Sequence, residues 1–249
     1  MTTIAVIQAR MGSTRLPGKV LEPIGDRPLV LWTVRAVSAV EGIDDLVVAT
    51  SKDAVDDPLV AVLTQHGLRV HRGPTHDVLR RIVDAVAPLG PDVVLRQTGD
   101  NPFPDPGVMA AQLRHLADGP FDYVGIAGLP LGIAGEAVRW EALAAADRES
   151  TDVAEREHVL PFVYARPDRF ALGTLPEPPP WRHGRYTVDR AEDLAFARAI
   201  AARLTGDGPP SLVDLEAIVA ADPALAALNR GVEQRDHRSA EVAAAQEGG

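Results

Sequence analysis

In the first hundred residues, short apolar runs alternate with longer stretches in which apolar side chains recur every three or four positions. Thr3 to Ala9 is apolar and rich in β-branched residues, and it reads as a buried strand. Asp45–Thr50, Leu68–Arg72 and Asp92–Arg96 read the same way. Between them, the spacing of Leu29, Trp32, Val34, Val37 and Val40 predicts a helix with Pro28 in its first turn. Pro58–His66 and His76–Val86 predict two more helices. Strands and helices at this interval predict a mostly parallel sheet covered on both faces. Ligands of such sheets bind beyond the carboxyl ends of the strands. The loops Arg10–Lys19 and Gly99–Asp105 should therefore open on the same side.

The second half is less regular. Helices are predicted over Pro106–Ala117, Trp140–Ala146, Ala154–Ala165, Arg190–Leu204 and Ser211–Ala221. Strands are predicted over Asp122–Ala127, Arg169–Thr174 and Arg185–Val188. Leu175–Trp181 is proline-rich and predicts an irregular loop. Asp236–Gly249 is polar and rich in small residues, the pattern of a disordered tail. There is no internal repeat.

Composition narrows the function classes. The 249 residues suffice for one large α/β domain. A net charge of −10 opposes bulk nucleic-acid binding, which usually shows as a basic face. The absence of cysteine excludes disulfides, thiol nucleophiles and thiolate metal sites. No stretch reaches the length of a membrane span, and Met1–Arg10 is too short an apolar run for a signal peptide, so no membrane contact and a cytoplasmic location are expected.

Against this acidic background, Ala9-Arg10-Met11-Gly12-Ser13-Thr14-Arg15-Leu16-Pro17-Gly18-Lys19 carries three cations and no carboxylate. Glycines let backbone N–H groups approach an anion, arginine grips phosphate oxygens bidentately, and lysine adds a point charge. The segment is not a P-loop: five residues separate Gly12 from Gly18, and Val20 stands where a hydroxyl would meet magnesium. Composition alone is equally consistent with a surface loop carrying scattered charges. Two carboxylates are also open to two readings. Asp100, in Thr98-Gly99-Asp100-Asn101-Pro102, can point into a site beyond its strand or simply belong to a turn. Asp189, with Glu192, has the spacing of a capping box for the helix that follows.

The loop from Ala9 to Lys19 resembles the A-R-x-G-S-x-R-L-P-G-K loop of the cytidylyltransferase family, which includes CMP-ketodeoxyoctonate synthetases, acylneuraminate cytidylyltransferases and SpsF-type spore-coat polysaccharide proteins. The resemblance covers residues 2–205 and is densest in the first hundred. It implies a Rossmann-like, GT-A-like nucleotidyltransferase fold, a three-layer α/β/α sandwich with a mostly parallel mixed sheet. It implies one domain over residues 1–235, with a nucleotide-binding half (1–120) and an acceptor-binding half (121–235), followed by the tail at 236–249.

The same resemblance assigns roles. Ala9, Arg10, Gly12, Ser13, Arg15 and Lys19 would line a nucleoside triphosphate, with CTP expected, and Arg10 and Lys19 would sit near its phosphates. Asp100, in the family's G-D-x-P element, and Asp189, in its V-D-x-x-E-D-L element, would hold a catalytic Mg2+ ion, with Asp105 as a weaker candidate. Thr98 and Gly99, which lead into the first carboxylate, would also line the nucleotide. Thr50 and Ser51 match a strand end near the base or ribose. Asp77, and with it Arg81, could face the nucleotide, although Asp77 also suits the first turn of a helix.

Glu157 and His158, in Glu155-Arg156-Glu157-His158-Val159, together with Glu136, would meet a small sugar-like acceptor, although a helical histidine also suits a structural role. The chain departs from the SpsF-type P-R-G-x-D-x-E pattern at Leu131 and Ala134, while Glu136 remains. The activity implied is transfer of CMP to a sugar or sugar acid, with release of pyrophosphate. Another triphosphate, a phosphate, phosphonate or cyclitol phosphate acceptor, or a non-catalytic nucleotide-binding homologue are the alternatives. A homodimer is a further expectation from relatives.

Overall fold

The computed structural model describes residues 1–125, 127–175, 183–206 and 208–232. Most of the loop expected at Leu175–Trp181, and the tail expected at Asp236–Gly249, lie outside the described residues.

The expected strands of the first half form. They are β1 (Thr3–Gln8), β4 (Asp45–Ser51), β5 (Arg69–Gly73) and β6 (Val93–Thr98), with a two-strand hairpin of β2 (Pro23–Ile24) and β3 (Arg27–Pro28) after the basic loop. β7 (Tyr123–Gly125), β8 (Glu136–Arg139) and β9 (Leu172–Thr174) complete the sheet. Its order is β5-β4-β1-β6-β8-β7-β9. Only β8 runs against its neighbours, β6 and β7. The result is a mixed, mostly parallel sheet.

Strand alternation decides the two faces. Ile4 and Val6 pack on one side with Val94, Tyr123 and Val138, beneath α3 (Val78–Val86), α5 (Trp140–Glu149) and α7 (Pro161–Tyr164), while α6 (Val153–His158), which buries none of its residues, lies against α3. Ala5 and Ile7 pack on the other with Val48 and Leu95, beneath α1 (Leu29–Ser38), α2 (Asp57–Gln65) and α4 (Pro106–Asp118). A third cluster joins Trp32 and Phe103 to α8 (Ala191–Ala201), α9 (Leu212–Ala221) and α10 (Ala224–Ala227). The three-layer α/β/α fold expected from the sequence is the one observed.

Two expectations need correction, and one strand was not expected. The helix expected over Ala154–Ala165 is two helices. Val159 between them has φ 80° and ψ −58°, and Leu160 N–H donates to the His158 carbonyl at 3.1 Å, a γ-turn. The cause is Pro161, which has no N–H and whose ring would clash with the carbonyl four residues back; it opens α7 instead. The strand expected over Arg185–Val188 is reduced to one bridge, Leu131 to Arg185. β8 had no strand prediction, because its four residues, Glu-Ala-Val-Arg, are too few to show alternation.

Asp105 is fully committed to the fold. Its Oδ1 caps α4 through Gly107 N–H (2.7 Å) and Val108 N–H (3.2 Å), and its Oδ2 accepts from the buried Leu212 N–H at 2.7 Å. Asp105 is therefore not a metal-facing carboxylate. Loss of the cap and of the partner for Leu212 should lower the unfolding free energy of Asp105→Ala by about 2 kcal/mol, read from urea denaturation.

Candidate active site

The carboxyl ends of β1 and β6 lie side by side, with Gln8 paired to Thr98. Gly99 is needed at this seam: a Cβ there would come within 2.7 Å of the Ala9 Cβ. From the end of β1 the basic loop folds back on itself. Ser13 and Gly18 N–H both donate to the Met11 carbonyl at 2.9 Å, and Gly18 adopts the left-handed φ of 74° that the return requires. The start of the loop is pinned from below. Asp56, completely buried, accepts from Met11 N–H (2.7 Å), Thr50 Oγ1 (2.9 Å), Ser51 N–H (3.0 Å) and Ser51 Oγ (2.5 Å). Burial alone would raise the Asp56 pKa, but these donors outweigh it and hold the carboxyl below its usual value. Thr50 and Ser51 thus serve this anchor and do not line the cavity.

The loop roofs an open cavity of about 410 Å³, within the range that takes a nucleotide-sized ligand. Ala9, Arg10, Gly12, Ser13, Arg15 and Lys19 all line it. So do Thr98, Asp100, Asp189, Glu157 and His158, whereas Gly99, expected beside the nucleotide, packs at the strand seam and does not line the cavity.

Asp100 and Asp189, far apart in sequence, meet on one ammonium. Lys19 Nζ donates to Asp100 Oδ2 (2.6 Å), Asp189 Oδ1 (2.9 Å) and the Val188 carbonyl (2.7 Å). The backbone enforces the meeting, because Val188 N–H donates to the Asp100 carbonyl at 2.9 Å. Asp100 sits in a turn, with Asn101 N–H reaching the Thr98 carbonyl at 3.3 Å, and also points into the site; the two readings of that segment coexist.

Asp189 is surrounded by cations. Arg15 bonds its Oδ1 at 3.0 Å and Arg185 its Oδ2 at 3.0 Å. It does not cap the following helix. Asp193 does so, accepting from the N–H groups of Asp189 (3.0 Å) and Arg190 (3.1 Å) while pairing with the buried Arg185. The capping-box spacing of Asp189 with Glu192 was misleading by one residue, because the helix starts at Ala191 with Arg190 at its N-cap.

The profile of the cytidylyltransferase family matches residues 4–231. The spore coat polysaccharide biosynthesis protein SpsF of Bacillus subtilis (strain 168) is 36% identical over 243 residues, covering 95% of this chain and 98% of its own. The chain belongs to the cytidylyltransferase family. A solved cytidylyltransferase of Leptospira borgpetersenii is 25% identical with a TM-score of 0.84, covering 94% of this chain and 100% of its own. The 3-deoxy-manno-octulosonate cytidylyltransferase of Flavobacterium johnsoniae is 32% identical over 137 residues, 55% of each chain.

Two residues assigned to ligands lie elsewhere in this cytidylyltransferase. Asp77 caps α3 through Arg80 N–H (3.0 Å) and pairs with Arg156 at 2.8 Å. Arg156 also pairs with Asp147 at 2.8 Å, so Asp77 ties α3 to α6 and does not line the cavity. Glu136 is also withdrawn: one oxygen pairs with Arg96 and the other accepts from Tyr123 Oη at 2.9 Å. Arg96 does line the cavity, as does Gln8, to which its Nε donates at 3.0 Å.

Sequence reading passed over Asp56, Arg96, Arg185 and Asp193. Asp56 stands among Asp53, Asp57 and other polar residues, and nothing local sets it apart. Arg96 had a signal: it is a charged residue in an otherwise apolar strand, beside the strand end that carries Asp100.

The charges of the cytidylyltransferase site fix its response to pH. Burial would raise the Asp189 carboxyl, but Lys19, Arg15 and Arg185 outweigh it and hold the group below its ordinary value. Burial would lower the Lys19 ammonium, but Asp100 and Asp189 outweigh that and raise it. A lowered carboxyl contributes stability at neutral pH that fades as the pH falls from about 3.9 through the native value. A raised ammonium contributes stability that is lost only as the pH climbs past the ordinary lysine range. Wild type should therefore exceed Asp189→Asn in denaturation midpoint at neutral pH, and the gap should close as the medium is acidified into that window. Asp77→Ala should lower stability by about 1 kcal/mol, the value of a lost N-cap, while leaving CTP affinity unchanged by calorimetry.

Proposed function

We propose that this protein transfers CMP from CTP to a hydroxyl of a sugar or sugar-acid acceptor, releasing pyrophosphate, as a cytoplasmic enzyme. The observation that carries the reading is the convergence of Arg10, Arg15 and Lys19 with Asp100 and Asp189 on one cavity. A relative named for spore coat polysaccharide biosynthesis and another named as a 3-deoxy-manno-octulosonate cytidylyltransferase support a sugar-type acceptor.

The donor set suits magnesium: two carboxylates close enough to share one ammonium are hard oxygen ligands, and this metal commonly takes one or two carboxylates with substrate phosphates and water. Asp100 and Asp189 would hold it. When bound, the ion would neutralise phosphate charge and make the acceptor hydroxyl a better nucleophile.

The protein's own groups do the rest. Arg10, Arg15 and Lys19 offset the charge of the triphosphate and of the departing pyrophosphate. Glu157 and His158, which also line the cavity, orient the acceptor. Its oxygen bonds to the α-phosphorus as the bond to the pyrophosphate oxygen breaks, and the hydroxyl proton passes to solvent. No covalent enzyme intermediate is needed; positioning and electrostatics carry the rate.

Pyrophosphate release from CTP and magnesium, measured across a panel of sugars and sugar acids, tests the reading. Asp100→Ala and Asp189→Ala should each lose at least about 100-fold in kcat. Near-full turnover by either variant would remove that residue from the reacting site.

A further inference from the structure

Lys19 has three N–H donors, and all three are used inside the protein: on Asp100 Oδ2, Asp189 Oδ1 and the Val188 carbonyl. Its side chain is only 9% exposed. So arranged, the ammonium has no donor left for a triphosphate, although it lies in the wall of the cavity beside Arg10 and Arg15.

The carboxylates it joins are the oxygens a divalent cation would need. Among the described residues no three His, Cys, Asp or Glu side chains cluster closely enough to hold a metal ion, so the acidic pair lacks further protein ligands of that kind. Phosphate oxygens can supply what the pair lacks, as is common for magnesium. An ammonium and a divalent cation repel, and they cannot share the same two oxygens at bonding distance.

We propose that Lys19 is an exchangeable internal counter-ion: its ammonium holds Asp100 and Asp189 together and bars a divalent cation from them until a nucleoside triphosphate draws it away. Metal and nucleotide then enter as a pair. The carboxylates are never left facing each other without a cation, and the lysine is delivered to the phosphates at the moment its place is taken. The identity of the triphosphate rests on the cytidylyltransferase reading; the competition for Asp100 and Asp189 does not.

The test is metal binding by the full chain without nucleotide, followed by the electron paramagnetic resonance of Mn2+ at neutral pH. Lys19→Gln should bind Mn2+ at least about tenfold more tightly than wild type, because it takes away the ammonium paired with Asp100 and leaves Asp189 with Arg15 and Arg185 alone. Adding Asp100→Asn to that variant should abolish the gain. Equal affinities in wild type and Lys19→Gln would overturn the proposal, as would a gain indifferent to Asp100→Asn.

Circular dichroism shows whether Lys19→Gln folds. Where it does not, wild type decides alone. Tight Mn2+ binding without nucleotide that is lost in Asp100→Asn overturns the proposal; weak binding that CTP strengthens beyond CTP's own hold on the metal supports it. A failure of pyrophosphate release would sink the transferase reading and leave these metal affinities to be judged on their own.

Discussion

One ammonium, on Lys19, joins three segments that the chain synthesises far apart: the basic loop after β1, the turn after β6 and the stretch that leads into α8. Without a cation between them, two carboxylates at this spacing would repel, even though Arg15 and Arg185 also hold Asp189. With it, both are held together at the cavity. The rest of the site is built to keep that meeting in register. The Asp100 carbonyl takes the Val188 N–H, and Leu131 exchanges backbone bonds with Gly184 and Tyr186, so the late segment lies along the early strand ends.

Behind the groups that face the cavity stands a layer of charged residues that never reach it. Asp56 grips the first turn of the basic loop, Asp193 grips Arg185 and the backbone at Asp189, and Glu136 with Tyr123 grips Arg96. Each is nearly or wholly buried and hydrogen-bonded by both oxygens, the condition under which a buried charge is tolerable. A ring of this kind fixes side-chain direction more tightly than apolar packing, because hydrogen bonds are directional and leave few alternatives.

This division explains how much could be read beforehand. The strands of the first half were legible because burial on both sides makes them continuous apolar runs, and the basic loop was legible because its cations are contiguous. Asp100 was legible as the carboxylate just beyond a buried strand. The role of Glu136 was not, and for Asp77 the helix-start reading that held stood level with the ligand reading, since a carboxylate that caps a helix or holds an arginine looks the same in sequence as one that meets a ligand. Only the position of Arg156, seventy-nine residues from Asp77, separates the two cases. The break at Val159 hid for a related reason: Pro161 announces an end to the helix, but the helix beyond it resumes at once.

The turn at Val159 has a mechanical consequence. The wall that carries Glu157 and His158 is the end of a short helix joined to the next by a β-branched residue with positive φ, a conformation that costs on the order of 1–3 kcal/mol and persists only because buried packing holds it. An unbroken helix would tilt as a rod. Two short ones meeting at a γ-turn let the helix that carries Glu157 and His158 take its own direction at the cavity, set by the turn and not by the axis of the helix that follows.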